Sequence, residues 1–371
     1  MSVQSLPIDQ LSGRVYFPGL NALRFYAAMS VVIAHTSNNF GELRTMPAHL
    51  ALLNAVALDA QSAVSLFFVL SGFLITYLLL QERRRTGTVL VSKFYVRRAL
   101  RIWPLYYLVA ATGFLLLRVL GPAYALYFPS PSQVILVVLL LPNFAGPLGP
   151  LGHLWSIGLE EQFYLAWPWV VKRGSGFFLR VVLGILIVKI GLAPVIPAFH
   201  SDAMAQLFTS LRFECMAIGA LGAYAYYRNH RLLAVVYSPL AQALVLACLL
   251  FLALVDIPLT TAGTVLVSIV SIVLILNVST NERSWLKLEH PLLNTLGRMS
   301  YGIYMYHFPL LYTVLFLLRQ WPWPESHWSY RLVLYGMTVV GTLALAAVSY
   351  RWFEAPFLGW KERFAVIRSR R

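Results

Sequence analysis

Apolar residues gather along this chain in blocks of bilayer length, separated by short polar or basic breaks. A hydrocarbon core of about 30 Å takes about 20 mostly apolar residues as a helix. Ten stretches meet that need, near 19–37, 62–80, 100–120, 153–171, 177–195, 207–227, 238–255, 259–279, 299–318 and 332–352. An eleventh, 133–142, stops at Pro142 after about ten residues, too few to cross. The pattern predicts an all-α integral membrane protein, a polytopic bundle of about ten transmembrane helices. The stretch 121–152, rich in proline and glycine, reads as an excursion on one face. Irregular backbone at membrane depth must be buried in protein or line water, so this excursion can fold back over a cavity mouth.

The charges agree with that layout. Of the 371 residues 59% are hydrophobic and 12% charged, against about 25% charged in a soluble domain. The net charge of +15 would suit nucleic acid, but the cations collect between apolar stretches, which excludes that partner and points to the positive-inside rule. With the N-terminus inside and 133–142 not crossing, 22 of the 29 Lys and Arg fall on the inner side, and both termini are expected in the cytoplasm. The organisation expected is a cytoplasmic tail over 1–18, a transmembrane domain over 19–354 and a basic cytoplasmic tail over 355–371. The first residues lack the apolar core and cleavage site of a signal peptide, so no processing is expected. Cys215 and Cys248 both sit in apolar segments, which argues against a disulfide framework or a zinc site.

Polar groups inside the spans are where chemistry would lie, because ionisable groups in hydrocarbon are costly and face a bundle interior or a wet cavity. Arg24 and His35 share the first span. Eleven residues at 100° each is about three turns plus 20°, so both leave one face, about 16 Å apart along the axis. The alternative is that Arg24 snorkels to a headgroup and His35 is interfacial. Arg98 and Arg101, three apart at the cytoplasmic start of the third span, form a pair of guanidinium forks suited to phosphate; topogenic charge with a belt of Trp103, Tyr106 and Tyr107 is the simpler reading. Trp155, Glu160, Glu161 and Gln162 lie in the segment HLWSIGLEEQFYLAWPW. Adjacent carboxylates differ by 100°, so one is expected to face the cavity and the other to pair with a neighbouring helix, with Arg212 or Arg24 as possible structural partners. Ser65, Ser71 and Gly72 form a small-residue face that reads as helix packing. Tyr301, Tyr304 and His307 run along one helix, with Tyr304 and His307 a turn apart and Pro309 just beyond; a structural histidine is the alternative there. Hydrolase elbows, HExxH, Walker and dinucleotide glycine motifs are all missing from the sequence.

Taken together these segments resemble the acyltransferase-3 family of membrane O-acyltransferases, which acetylate bacterial surface glycans and similar acceptors. The resemblance runs from about Pro18 to Phe357. It rests on Arg24 with His35, on Arg98-x-x-Arg101 within RRALRIWPLYY, on LFFVLSGFLIT at 66–76, on the LWS, EEQFYL and WP pattern at 154–168, on the GR, S, Y, IY, H and P positions of 297–309, and on Glu354 with Pro356. Two positions depart from the pattern: Ser65 stands where an acid is common, and Gly158 where serine is usual. Some members carry an appended extracytoplasmic hydrolase-like domain, and this chain would act without one.

The resemblance implies a bacterial inner-membrane enzyme that takes an acyl group, chiefly acetyl, from cytoplasmic acyl-CoA and passes it to a hydroxyl of an extracytoplasmic or lipid-linked carbohydrate. Acyl-CoA is then a donor substrate; no permanently bound cofactor and no metal are expected, and the other partners are a glycan or glycolipid acceptor and membrane lipid. His35, Arg24 and Glu160 would be catalytic, Arg98 and Arg101 would hold the CoA phosphates, and Glu161, Trp155, Tyr304 and His307 would belong to the cavity. Imidazole suits base work near neutral pH, and whether His35 is base or acyl carrier stays open. Arg24 would stabilise the pantetheine chain or an oxyanion, in a tunnel lined by both Arg24 and His35. The competing readings are an exporter of a hydrophilic solute, which predicts helix breaks and repeats, and a non-catalytic scaffold, which has no need of a same-face Arg and His.

Overall fold

The computed structural model describes residues 8–9, 14–38, 57–124, 126–195, 208–254, 260–321 and 327–369. The chain opens with α1 (Leu20–Asn38), α2 (Ala60–Thr86) and α3 (Val91–Leu120). A short α4 (Pro131–Val138) precedes α5 (Leu154–Lys172), α6 (Ser175–Leu192) and α7 (Phe213–Tyr227). Then come α8 (Leu232–Val236), α9 (Pro239–Leu254) and α10 (Thr261–Thr280). The chain closes with α11 (Pro291–Arg298), α12 (Ser300–Arg319), α13 (Trp328–Ser349) and α14 (Ala355–Glu362). Every one of the ten expected spans coincides with a helix. Among the described residues, six helices (α2, α3, α6, α10, α12, and α13 running on through α14) are long and apolar enough to cross a membrane on their own. α1 and α5 have 19 residues each, but they carry the very polar groups that lower their apolarity.

Helix boundaries follow local chemistry. Asp59 caps α2, accepting from the Gln61 and Ser62 amides at 2.9 Å, and Gly87, at φ 75°, ends it in the left-handed conformation. Arg212, expected inside a span, instead occupies the N-cap of α7. Two-residue strands at Ile8–Asp9, Arg14–Val15 and Arg368–Ser369 form one small sheet, the second pairing parallel with the third. Arg14–Val15, just before α1, and Arg368–Ser369, just after α14, therefore lie side by side.

α2 is the buried centre of the bundle, with 78% of its most apolar window enclosed, whereas α6, at 17%, is peripheral. α2 meets α7 backbone to backbone. A Cβ at Gly72 would stand 2.1 Å from the Met216 carbonyl oxygen, and one at Gly219 would stand 2.2 Å from that of Val69. The small-residue face expected on α2 is thus divided. Gly72 packs, while Ser71 points into a cavity and Ser65 lies beneath Arg212. Gly72→Leu should force the two helices apart and destabilise the fold by at least ~2 kcal/mol. Thermal unfolding in detergent checks this against Gly176→Leu, whose site meets nothing within 4 Å and which should unfold like the unaltered protein.

The excursion 121–152 behaves as its length dictates. Ser130 and Gln133 build a capping box at the start of α4, whose 8 residues span about 12 Å and cannot cross. Its far end is held to α3 by Tyr106, which donates to the Val137 carbonyl at 2.8 Å, and Tyr107, which donates to that of Val138 at 3.0 Å. Gly158 explains one departure from the family pattern: a Cβ there would meet Pro142 Cδ at 2.7 Å and Asn143 Oδ1 at 2.9 Å. The missing side chain lets the 142–144 turn rest on α5, where Gln162 donates to Asn143 at 2.7 Å. Residues 39–56, between α1 and α2, and residues 322–326 of the Trp-Pro stretch 319–331 fall outside the described residues.

Candidate active site

α1, α2, α3, α5 and α12 enclose a cavity of about 750 Å³, measured out to its open mouth. Its polar lining comes from five helices and includes Arg24, Ser71, Arg98, Arg101, Glu160 and Tyr304. Two further cavities of about 700 and 740 Å³ adjoin it, and Arg101 lines all three. Lys361 and Glu362 of α14 line both of these, and the start of the basic C-terminal segment packs against α3, where Arg97 donates to the Phe364 carbonyl at 2.9 Å.

The arginines divide by partner. Arg97 is neutralised by Glu82 at 2.9 Å. Arg24, Arg98 and Arg101 make no ion pair or hydrogen bond with any described residue, although all three are partly buried. Arg98 lies over the rings of Phe94 and Tyr164, at 5.6 and 5.8 Å from their centroids, which steers its guanidinium while leaving its donors unspent. Three such cations converging on one cavity need an anion to offset their burial.

The paired carboxylates separate as their 100° offset predicts. Glu160 lines the cavity and accepts from Ser71 at 2.5 Å, while Tyr164 donates to Ser71 at 3.1 Å. Glu161 turns to α3 and accepts from the Trp103 indole at 2.9 Å. The structural partner expected in Arg212 is not found. Arg212 donates to the Gln61 carbonyl and side chain, at 3.1 and 2.6 Å, and to Ser65 at 3.3 Å. Trp155 and Glu161 are absent from the cavity lining, a correction to the expected grouping: the Trp155 ring stacks beneath Arg212, 5.4 Å away, because it leaves α5 on the side facing α7.

His35 lies beyond the cavity, in a cluster the spacing of the first span could not reveal. Its Nδ1 is 3.3 Å from Nε2 of His307. The ring of His153 packs 5.2 Å from that of His307, and Phe308 borders all three imidazoles. His153 is 2% exposed and His307 1%. No group of three His, Cys, Asp or Glu among the described residues is arranged to hold a metal ion. Tyr304 divides the cluster from the cavity. Its hydroxyl bonds Ser156 at 2.7 Å and donates to the His153 carbonyl at 3.0 Å, while its ring stands 5.4 Å from His307. Arg24 therefore shares the cavity with Arg98 and Arg101, whereas His35 packs with His153 and His307 on the other side of Tyr304. Sequence reasoning missed His153 as a site residue; the one available signal was its place at the head of the helix that carries Glu160.

A bundle of long apolar helices with arginines lining a cavity and imidazoles clustered beyond it defines a multi-pass membrane protein. The chain belongs to the acyltransferase-3 family, whose acyltransferase-domain model matches residues 17–347. It is 27% identical to the O-acetyltransferase homologue SAR0937 of Staphylococcus aureus (strain MRSA252), over 94% of this chain and 59% of that one. It is 26% identical to the peptidoglycan O-acetyltransferase OatA of Listeria monocytogenes, over 92% of this chain and 56% of the relative. To the O-acetyltransferase OatA of Staphylococcus aureus (strain NCTC 8325) it is 25% identical, over 94% and 58%. The chain thus spans under three-fifths of the length of these relatives. No solved structure matches it.

Proposed function

We propose that this protein is a membrane O-acyltransferase that moves an acetyl group from cytoplasmic acetyl-CoA to a hydroxyl of an extracytoplasmic or lipid-linked carbohydrate. It would work in the bacterial inner membrane with both termini cytoplasmic. The observation that carries the reading is the convergence of Arg24, Arg98 and Arg101, none engaged by a described carboxylate, on a cavity that ends one side chain short of the histidine cluster. A polyanion with a long uncharged arm fits such a space, and CoA is one: its phosphates would meet the guanidinium forks while its pantetheine arm extends past Tyr304 and Ser156.

The chemistry then falls to His35. It takes the proton from the acceptor hydroxyl as the oxygen forms a C–O bond to the thioester carbonyl carbon. The C–S bond breaks, and the imidazolium returns that proton to the departing thiolate, leaving an ester and free CoA. Glu160, bonded to Ser71 inside the cavity, would orient the donor. The relatives' names support O-acetylation, with peptidoglycan as the acceptor named for one of them. Mass spectrometry of surface glycans from cells with and without the gene tests the reading. Ester-linked acetate should be present only with the gene, and identical acetate in both would overturn it.

A further inference from the structure

Two imidazoles bonded to each other raise the question of which nitrogen carries the proton. His307 Nδ1 lies 2.5 Å from the backbone carbonyl of Tyr304. A carbonyl can only accept, so this nitrogen must be N–H, and in the neutral ring Nε2 holds the lone pair. That lone pair faces His35 Nδ1 at 3.3 Å, which must then be the donor. In neutral His35 the basic electron pair is consequently on Nε2.

We propose that His307 is a positioning residue that holds His35 in its Nδ1–H tautomer, so that Nε2 is the nitrogen that takes the acceptor's proton. The chain of bonds runs from the Tyr304 carbonyl through His307 to His35, and it persists when His35 becomes an imidazolium because Nδ1 donates in both states. The surroundings hold His307 in this pose: Pro309 follows two residues on, His153 packs against its ring, and Phe308 closes on the His35 ring at 4.5 Å. This role rests on the assignment of His35 as the base.

Two substitutions separate positioning from packing. His307→Asn leaves an amide where Nδ1 was, keeping a bond to the Tyr304 carbonyl but offering nothing to His35. His307→Gln can carry a carbonyl oxygen to the place of Nε2 and so accept from His35 Nδ1. Membrane vesicles from cells that hold the native acceptor, supplied with labelled acetyl-CoA, report both the maximal rate and the KM for acetyl-CoA. His307→Asn should lower the maximal rate about tenfold or more with KM within about twofold, while His307→Gln should stay within about threefold of the unaltered rate. An unaltered rate in His307→Asn, or a His307→Gln enzyme no faster than His307→Asn, would overturn the proposal. Assaying His35→Ala alongside keeps the two claims apart. If it retains activity, the base assignment itself fails; if it is inactive while His307→Asn is not, only the role of His307 fails.

Discussion

His35→Ala is expected to abolish acyl transfer, with a loss of about 10²–10⁴-fold in turnover, while leaving the protein folded and inserted. The reasoning is one of division of labour. His35 is only partly buried and touches Phe308 and His307 at the edge of the bundle. The packing of α1 rests instead on Ala27, Ala28, Val31 and Val32, each fully buried. Removing the imidazole therefore deletes a proton acceptor and little core. Labelled acetate transferred in membrane vesicles measures the loss, and a variant that keeps more than about a tenth of normal turnover would remove His35 from the mechanism.

Replacing both Arg98 and Arg101 with Gln should raise the Kd for acetyl-CoA by about 10²-fold or more, since hydrogen bonds to charged groups contribute about 1.5–3 kcal/mol each. The difference between variant and parent should widen at low salt, where charge attraction is least screened. Neither arginine is ion-paired with a described carboxylate, so the substitution breaks no salt bridge seen among the described residues, and a binding defect can be attributed to the ligand. Calorimetric titration of the purified protein with acetyl-CoA reads the effect directly. Unchanged affinity would leave Arg98 and Arg101 as topogenic charge alone.

The positions of the helices were legible because the demand a bilayer makes is local: a run of about 20 apolar residues must close its own backbone hydrogen bonds wherever it lies. The non-crossing dip at 133–142 was legible for the same reason, since Pro142 ends it too early, and α4 is shorter still. Angular relations within one helix were also readable. The offset between Glu160 and Glu161 sends one to the cavity and the other to Trp103, and the one-turn spacing of Tyr304 and His307 makes their rings neighbours. Family membership was carried by ordered motifs along nearly the whole chain, which need no fold to be recognised.

Relations between helices were not legible, because membrane helices meet through shape and a few polar bonds, with no pattern in the sequence that names the partner. Ser71 and Gly72 are adjacent and equally small, yet one bonds Glu160 and the other lets α7 approach, a choice settled only by the crossing of α2 with α7. Arg212 and Glu160 are opposite charges that a sequence would pair, and the bundle places Gln61 and Ser65 beside the first and Ser71 beside the second. By itself the sequence determined the membrane class, the ten helical segments, the two ends of α1 that carry Arg24 and His35, and the candidate anion site at Arg98 and Arg101. Only the tertiary structure decided that Tyr304 stands between the arginine-lined cavity and the histidines and that His153 and His307 join His35. Those residues come from three different helices, and contact between them follows from how the helices cross.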